Sequence, residues 1–487
     1  MKDVKPNSIT KNIFHLFYST AGASFLNALV LIYLASYLEA YHYGMFSVAL
    51  ASAMIMGYFT DSGLTEIAIR EGSKKDADLT AILASYIKVR VLLLLITLLG
   101  GSCFIYFFYS GNQVLINVAY YLSIPMVIGL ALQGVGTMFF QLIRKMQYIG
   151  FIKMLSALLL ICTLAFSILF SLSPLMVCLM YGLSYCMAGV FAIVLVKRHV
   201  PIHLKVPFLP GFLKNFSSFM CSGLLFIITP QLGPIILEKT LTLKEVGLFA
   251  VAYRMPQALQ QLPLIVAGAY RPVMFKSFHN NQVHEHSKLN VMLIKIMALF
   301  GMMITVPLYY LSDELITFLF GKSWLPASEA LSILSLLILI QAIGIGLADG
   351  LTTRGLQSYR TGVQMFSVVA GILVYVLFSS NYGVTGGAYA GLTVELIALS
   401  GFWLFLPNKK VVAKKILLPY LIYFGLFMAL CTATLSDYPF LAAAFHLIGI
   451  LFLFYLDQEM KENVSGLLYQ VSSRFKVRER VENAIHK

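Results

Sequence analysis

An arginine, Arg254, interrupts an apolar run that opens near Glu245. Its guanidinium presents five donors in a planar fork that matches phosphate and carboxylate oxygens. Nine residues at 1.5 Å rise place it about 13 Å along a helix starting at Glu245, and Pro256 follows, which cannot donate a helix bond. Two acidic residues stand in similar apolar surroundings, Asp61 and Glu395. Two chemistries follow for Arg254: it holds an anionic ligand such as a pyrophosphate or acidic sugar, or it closes an internal ion pair with Glu395 or Asp61. Glu395 has three open roles: a partner for Arg254, a carrier of a coupling proton, or a hydrogen-bonded structural carboxyl. Asp61-Ser62-Gly63 also has the composition of a helix cap or break. Gln257 and Gln133, with Gln231, Gln260 and Gln261, can meet sugar hydroxyls or bond across helices. The candidate substrate-binding set is therefore Arg254, Glu395, Asp61, Gln257 and Gln133. No catalytic constellation is read.

The elements that position these residues are membrane helices. Hydrophobic residues make up 59% of the 487-residue chain and charged residues 11%, against about 25% charged in a soluble domain. Runs such as Val91–Leu99 and Leu334–Ile340 are apolar on every face, which excludes the alternating strands of a membrane barrel and leaves helices. On the ruler of about 20 residues per crossing, we count about fourteen spans: 13–37, 44–67, 86–109, 115–140, 150–171, 174–196, 212–237, 246–270, 290–311, 326–349, 360–380, 384–406, 415–434 and 438–456. The first run is too long for a signal-peptide core and is expected to be retained as a helix. Pro230 and Pro234 predict a bend in the seventh span, a candidate for gating.

Charge sets orientation. Of the 35 basic residues, 31 fall on one face, including Lys88, Arg90, Arg144, Lys145, Lys197, Arg198, Arg271, Arg354 and Lys409; Lys239, Lys244 and Lys322 lie on the other. The rich face is expected to be cytoplasmic, with both termini there. The +14 net charge is thus topology, with anionic lipid headgroups as a secondary attraction, and not a nucleic-acid footprint. The six cysteines form no CxxC pair, and His284-Glu-His286 is expected in a solvated inner loop. No cofactor and no metal site is read. Asp349 and Arg354 are expected to pair locally at the inner end of the tenth span.

The two halves repeat. Gly44-Met-Phe-Ser-Val-Ala-Leu opens the second span and Gly247-Leu-Phe-Ala-Val-Ala-Tyr the eighth, an offset of 203. Arg144-Lys-Met-Gln-Tyr after the fourth span matches Arg354-Gly-Leu-Gln-Ser-Tyr after the tenth, an offset of 210. An even shift of six spans gives two halves of the same orientation. The expected division is a six-helix lobe over 1–200, a second over 201–410, two additional helices over 411–456 and a cytoplasmic tail over 457–487. In the tail, Val464, Leu467, Leu468, Val471 and Phe475 keep the spacing of an amphipathic helix.

With the spans in order, Tyr43-Gly44-Met45-Phe46, Phe59-Thr-Asp61-Ser-Gly63-Leu64, Val246-Gly247-Leu248-Phe249 with Ala252-Tyr253-Arg254, Leu319-Phe320-Gly321-Lys322-Ser323-Trp324 and Asn381-Tyr382-Gly383-Val384-Thr385-Gly386-Gly387-Ala388 form a recognisable series over the first 410 residues. The chain resembles the polysaccharide-transporter branch of the multidrug/oligosaccharidyl-lipid/polysaccharide exporter superfamily, including Wzx-type O-antigen flippases. The resemblance implies an all-α integral membrane protein with two MATE-like six-helix lobes in parallel pseudo-repeat. It also implies a non-enzymatic flippase that moves an undecaprenyl-pyrophosphate-linked oligosaccharide across a bacterial inner membrane. The oligosaccharide would be an O-antigen, capsule or exopolysaccharide repeat. Partners expected on that basis are the lipid-linked oligosaccharide, membrane lipids, a coupling H+ or Na+, and polysaccharide assembly proteins. Two rival readings are a multidrug/cation antiporter of the same superfamily, which a central Arg254 disfavours, and a membrane polysaccharide polymerase or ligase, which the short outer loops disfavour.

Overall fold

A computed structural model describes residues 6–72, 78–203, 205–210, 212–213 and 216–462. The tail residues Val464 to Phe475, and Lys2, Lys5, Lys74, Lys75 and Lys214, lie outside the described residues. Among the described residues the chain is helical with no strand. In order the helices are α1 (Pro6–Phe59), α2 (Leu64–Gly72), α3 (Leu79–Phe108), α4 (Gln113–Leu142), α5 (Met146–Leu169), α6 (Pro174–His199), α7 (Phe216–Ile228), α8 (Leu232–Thr240), α9 (Leu243–Leu259), α10 (Gln261–His279), α11 (Val283–Tyr310), α12 (Ser312–Phe320), α13 (Ser328–Thr352), α14 (Gln357–Phe405), α15 (Lys409–Val412), α16 (Ile422–Thr434) and α17 (Pro439–Leu456). A π-helical segment, Ala413–Leu421, joins α15 to α16.

Among the described residues ten stretches are long and apolar enough to cross a membrane. Two of them, Tyr18–Gly72 and Gln357–Phe405, run to 55 and 49 residues. At 1.5 Å per residue each is far longer than a core of about 30 Å. Each holds two crossings, joined at a residue with non-helical backbone, Glu39 (φ 58°) and Gly383 (φ 59°). The stretches α7–α8 and α9–α10 are each one further crossing, interrupted near the middle. Counted in this way the crossings number fourteen.

Local chemistry explains the joints. Asp78 accepts from the amides of Thr80 (2.9 Å) and Ala81 (3.1 Å) and so caps α3, and Asn112 caps α4 through the Leu115 amide (3.0 Å). At 60–63 the chain leaves the helix: Ser62 and Gly63 take positive φ (47° and 81°), and the Asp61 carboxylate accepts from the Thr65 hydroxyl at 2.7 Å. The Asp-Ser-Gly triplet thus breaks one helix and starts the next. Pro230 turns α7 into a short 3₁₀ segment, Thr229–Gln231, before α8 resumes. The break at Gln260 lies three residues before Pro263, which has no amide to return to the Leu259 carbonyl.

The chain forms two compact units. Unit 1 comprises Met1–Ala258, Ile316–Ala330 and Gln364–Val394; unit 2 comprises Leu259–Leu315, Leu331–Val363 and Glu395–Lys487. In unit 1, α4 and α6 touch backbone to backbone. A Cβ on Gly129 would lie 2.3 Å from the Tyr185 carbonyl carbon, and one on Gly189 would lie 2.7 Å from the Gly129 oxygen. In unit 2, α11 packs on α13, with Asn290 donating to the Gly346 carbonyl at 2.9 Å. Val291, Ile294, Ala298 and Met302 of α11 meet Leu339, Ile343 and Leu347 of α13 in its main core.

The repeat is visible inside unit 1. A Cβ on Gly44 would lie 1.8 Å from the Leu243 carbonyl oxygen, and one on Gly247 would lie 2.0 Å from the Ala40 oxygen. Both pairs are related by the offset of 203, so the two matched glycines sit at one helix crossing and exchange equivalent contacts. The second match is shifted by one residue. The turn after α4 places Arg144 at φ 58° with the Lys145 amide on the Phe140 carbonyl; the turn after α13 places Gly355 at φ 76° with the Leu356 amide on the Leu351 carbonyl. The structural offset there is 211, against 210 from the matched arginines. The left-handed position costs an arginine in one half and is free to glycine in the other.

Candidate functional site

Arg254 sits on α9 directly after a buried stretch, Val246–Tyr253, that seats the helix in unit 1. Its Nη1 donates to Gln257 Oε1 at 2.8 Å, one helical turn away. The hydroxyl of Tyr43, a residue 1% exposed, also hydrogen-bonds to the guanidinium. Tyr43 is held by the rings of Trp324 (centroids 5.8 Å, edge to face) and Phe46 (5.6 Å). Tyr181 and Tyr185, one turn apart on α6, hydrogen-bond to each other and both lie within the field of Arg254. Gln133 of α4 donates to the Tyr185 carbonyl at 3.0 Å. The close α4–α6 approach is what brings Gln133 to this wall.

Every partner of Arg254 is neutral. Among the described residues no carboxylate pairs with it, and its side chain is partly exposed. A guanidinium with two neutral partners keeps donors for an incoming oxyanion, and the tyrosines and glutamines beside it supply further polar contacts.

Asp61 belongs to a different cluster of unit 1. Its Oδ1 accepts from Thr65, from Tyr86 (3.1 Å) and from Arg90 Nη1. Arg90 is otherwise spent: Nε donates to the Ala131 carbonyl (2.8 Å), Nη2 to the Leu130 carbonyl (3.2 Å) and Nη1 also to Tyr86 (2.6 Å). A Cβ on Gly134 would lie 2.0 Å from Arg90 Nη2, so α4 is notched to admit it. The ion pair of Arg254 with Asp61 that the sequence leaves open is not formed, because Arg90 holds that carboxylate.

Glu395 lies in unit 2, and among the described residues no cation pairs with it. Its Oε1 accepts from Gln341 Nε2 at 2.8 Å, and Gln341 Oε1 accepts from Gln260 Nε2. Two inner-end expectations are corrected. Asp349 and Arg354 do not pair with each other: Arg271 Nε takes Asp349 at 2.7 Å, and Arg354 donates to His286 Nδ1 (3.2 Å) and Ser287 (2.7 Å). His286 is not in a solvated loop; it is fully buried in the first turn of α11, bonded to Thr353 at 2.7 Å. The Glu at 285 sits in that same turn, so the stretch begins a helix.

Of the sequence-predicted residues, then, Gln257 meets Arg254, Gln133 meets the adjoining tyrosine, and Asp61 and Glu395 stand in two other clusters. Sequence reasoning missed Tyr43, Tyr181, Tyr185, Arg90 and Gln341. The Tyr181-xxx-Tyr185 spacing on an apolar helix was an available signal. Arg90 was hidden among inner-face charges.

Residues 9–278 match the family described as polysaccharide biosynthesis protein. Among solved structures, the lipid II flippase MurJ in an inward closed conformation is similar at TM-score 0.70 and 15% identity, over 91% of this chain and 99% of that one. An inward-facing multidrug resistance MATE family transporter of the MOP superfamily is similar at TM-score 0.67 and 13% identity, over 80% and 96%. The MATE multidrug transporter DinF-BH is similar at TM-score 0.60 and 16% identity, over 84% and 97%. These likenesses are of fold. No curated protein matches the sequence.

Proposed function

The chain belongs to the polysaccharide biosynthesis protein family, and on that premise we propose that it is a flippase for a lipid-linked oligosaccharide. The substrate is an undecaprenyl-pyrophosphate-linked repeat unit of O-antigen, capsule or exopolysaccharide, moved across a bacterial cytoplasmic membrane with both termini inside. One observation carries the reading: Arg254 lies at membrane depth and, among the described residues, has neutral partners and no carboxylate. A cation there costs at least about 2.5 kcal/mol unless it faces water or an anion. A pyrophosphate that arrives, is held by the guanidinium fork and leaves on the other side satisfies that requirement for part of each cycle.

Arg254 and Gln257 hold the anionic head, with Gln133 and the tyrosine wall beside them, while the lipid tail stays in the bilayer. No covalent step is needed. Two six-helix lobes related through the matched glycines of the second and eighth spans rock by alternating access, with ion coupling by H+ or Na+. The fold shared with multidrug transporters keeps a cation exporter as the rival, and a positive Arg254 repels its substrates.

The test is oligosaccharide display in a deletion strain complemented with variants, read with membrane protein level. Arg254→Gln should abolish display at normal abundance. Normal display from Arg254→Met at normal abundance would exclude substrate binding by Arg254. Restored resistance to organic cations without restored display would replace the flippase by the exporter.

A further inference from the structure

We propose that Glu395 is a proton-binding site of unit 2, oriented by Gln341 and Gln260, that takes up and releases one proton in each transport cycle; the coupling half of this proposal rests on the transport reading above. Glu395 lies on the second segment of α14, twelve residues beyond the kink at Gly383. At 1.5 Å per residue that is about 18 Å from the kink, near the middle of a hydrocarbon core about 30 Å thick.

Three acidic side chains at or near membrane depth can be compared. Asp61 is paired with Arg90, and Asp349 with Arg271. Glu395 has one donor, the uncharged amide of Gln341, and among the described residues no charged side chain acts on it from any element packed against it. An ionised carboxylate left bare at such depth costs several kcal/mol, and a proton is the smallest partner that removes the cost.

The local frame fits a group that charges and discharges. Gln341 donates to Oε1 whether or not Glu395 carries a proton, so neither state loses this bond. The amide cannot turn over freely, because its own oxygen accepts from Gln260. Oε2 has no partner among the described residues, and the side chain is partly open. The proton therefore goes onto Oε2 from water on one side and leaves to water on the other, with no bond order changed elsewhere. Gln260 is the residue at which α9 ends and α10 begins. The far end of the hydrogen-bonded chain thus lies at the junction of the two helices.

Infrared difference spectroscopy of the purified full-length protein in lipid tests the site without any substrate. We expect a carboxylic-acid C=O band that is lost as pH is raised and returns as it is lowered. It should be absent in Glu395→Gln and present, shifted, in Glu395→Asp. A spectrum unchanged by Glu395→Gln overturns the proton site. Loss of the band on adding sodium at fixed pH overturns the proton in favour of a metal cation. Coupling is read separately, as oligosaccharide display at external pH 6 and 8. We expect the wild-type ratio between the two to fall to one in Glu395→Gln, with display at least tenfold lower at normal abundance. An unchanged ratio overturns coupling. If the infrared band behaves as expected but wild-type protein restores no display, the transport reading fails and the proton site stands.

Discussion

Two arginines of unit 1, Arg90 and Arg254, occupy apolar helices and have opposite surroundings. Arg90 is 5% exposed and spends its donors on Asp61, Tyr86 and the carbonyls of Leu130 and Ala131. Arg254 is partly exposed and, among the described residues, has only the Gln257 amide and the Tyr43 hydroxyl. The same residue type is thus a finished structural element in one place and an unfinished one in the other. Residue identity and depth do not separate the two; the count of satisfied donors does. A fully paired guanidinium has nothing left to offer a ligand, whereas one with neutral partners and open donors is ready to bind an anion.

The largest expected effect lies on the finished side. Arg90→Ala leaves the partly buried Asp61 without its cation, and breaking a buried pair costs up to about 3–5 kcal/mol. We expect a sharp fall in abundance and in thermal unfolding temperature. The double variant Arg90→Met/Asp61→Leu should recover much of it, because an apolar pair replaces a buried ion pair at little cost. Arg90→Ala with normal abundance but no transport would break the comparison, since Arg90 would then be a second working cation.

Arg254 should behave in the reverse way. Arg254→Gln removes a charged hydrogen-bond donor worth about 1.5–3 kcal/mol, or roughly 10- to 150-fold in transport, at unchanged unfolding temperature. Arg254→Lys keeps charge without the fork and should retain partial display. A fall in protein level with Arg254→Met would place Arg254 with Arg90 as a structural residue.

The glycine crossing in unit 1 comes next. A Cβ at Gly247 or Gly44 overlaps the opposing carbonyl, at 2.0 and 1.8 Å, so each alanine forces the helices apart at a cost of about 1–3 kcal/mol. Because the contacts are equivalent, Gly44→Ala and Gly247→Ala should reduce display by similar factors. Gly344→Ala, where the nearest atom would lie 3.9 Å away, should change nothing. Unequal effects at 44 and 247 would show that the two halves do not share the crossing evenly.

Much of this was legible in the sequence, and the reasons differ by feature. Span count follows from composition, since a bilayer admits only internally bonded helices. Glu39 and Gly383 were not legible as joints continuous with their helices, because a single non-helical residue leaves no composition shift. The Asp61-Ser62-Gly63 break was legible from local backbone chemistry. The Arg90–Asp61 pair was not, because its members are 29 residues apart and Arg90 stands next to inner-face charges that obey a topology rule. Arg254 was conspicuous because no such rule accounts for a cation past an outer loop. Of its tyrosine wall only the Tyr181-xxx-Tyr185 pair of α6 has a spacing to read; Tyr43 comes from α1, and the Gln260–Gln341–Glu395 chain comes from three separate segments with none. The repeat was legible to within one residue at the second match, where side-chain identity aligned two arginines and backbone geometry aligns Arg144 with Gly355.

Tyr43→Phe sharpens the comparison with a smaller change. It removes one uncharged acceptor of Arg254 and leaves the ring contacts with Trp324 and Phe46 in place. Display should fall a few-fold at constant abundance. No change would mean that the guanidinium is positioned by Gln257 alone.

The smallest expected effect concerns a third, paired cation, Lys295 of unit 2, whose partners lie past the end of α17. Its ammonium meets Asp457 at 2.6 Å and Glu459 at 2.9 Å. Burial pushes the Asp457 carboxyl up, but the bonds from Lys295, Tyr420 and the Met460 amide outweigh it and hold the group below its ordinary 3.8. The Lys295 hydrogen bond does the same for Glu459, below its ordinary 4.5, with Lys415 adding to it against a smaller effect of burial. Both folded values are depressed, so the stabilisation is fully present above the unfolded values and is lost as pH falls through the folded ones. Thermal unfolding should therefore be insensitive to these groups from neutral pH down to about 4.5 and should decline below it. In Lys295→Met Asp457 loses its cation and Glu459 keeps only Lys415, so the acid-induced decline attributable to them should shrink. A wild-type decline that begins well above pH 5, or one that survives unchanged in Lys295→Met, would mean that the cluster does not hold the α17 end. Lys295 would then have to be counted with Arg254, among the cations whose charge the fold leaves for something else to meet.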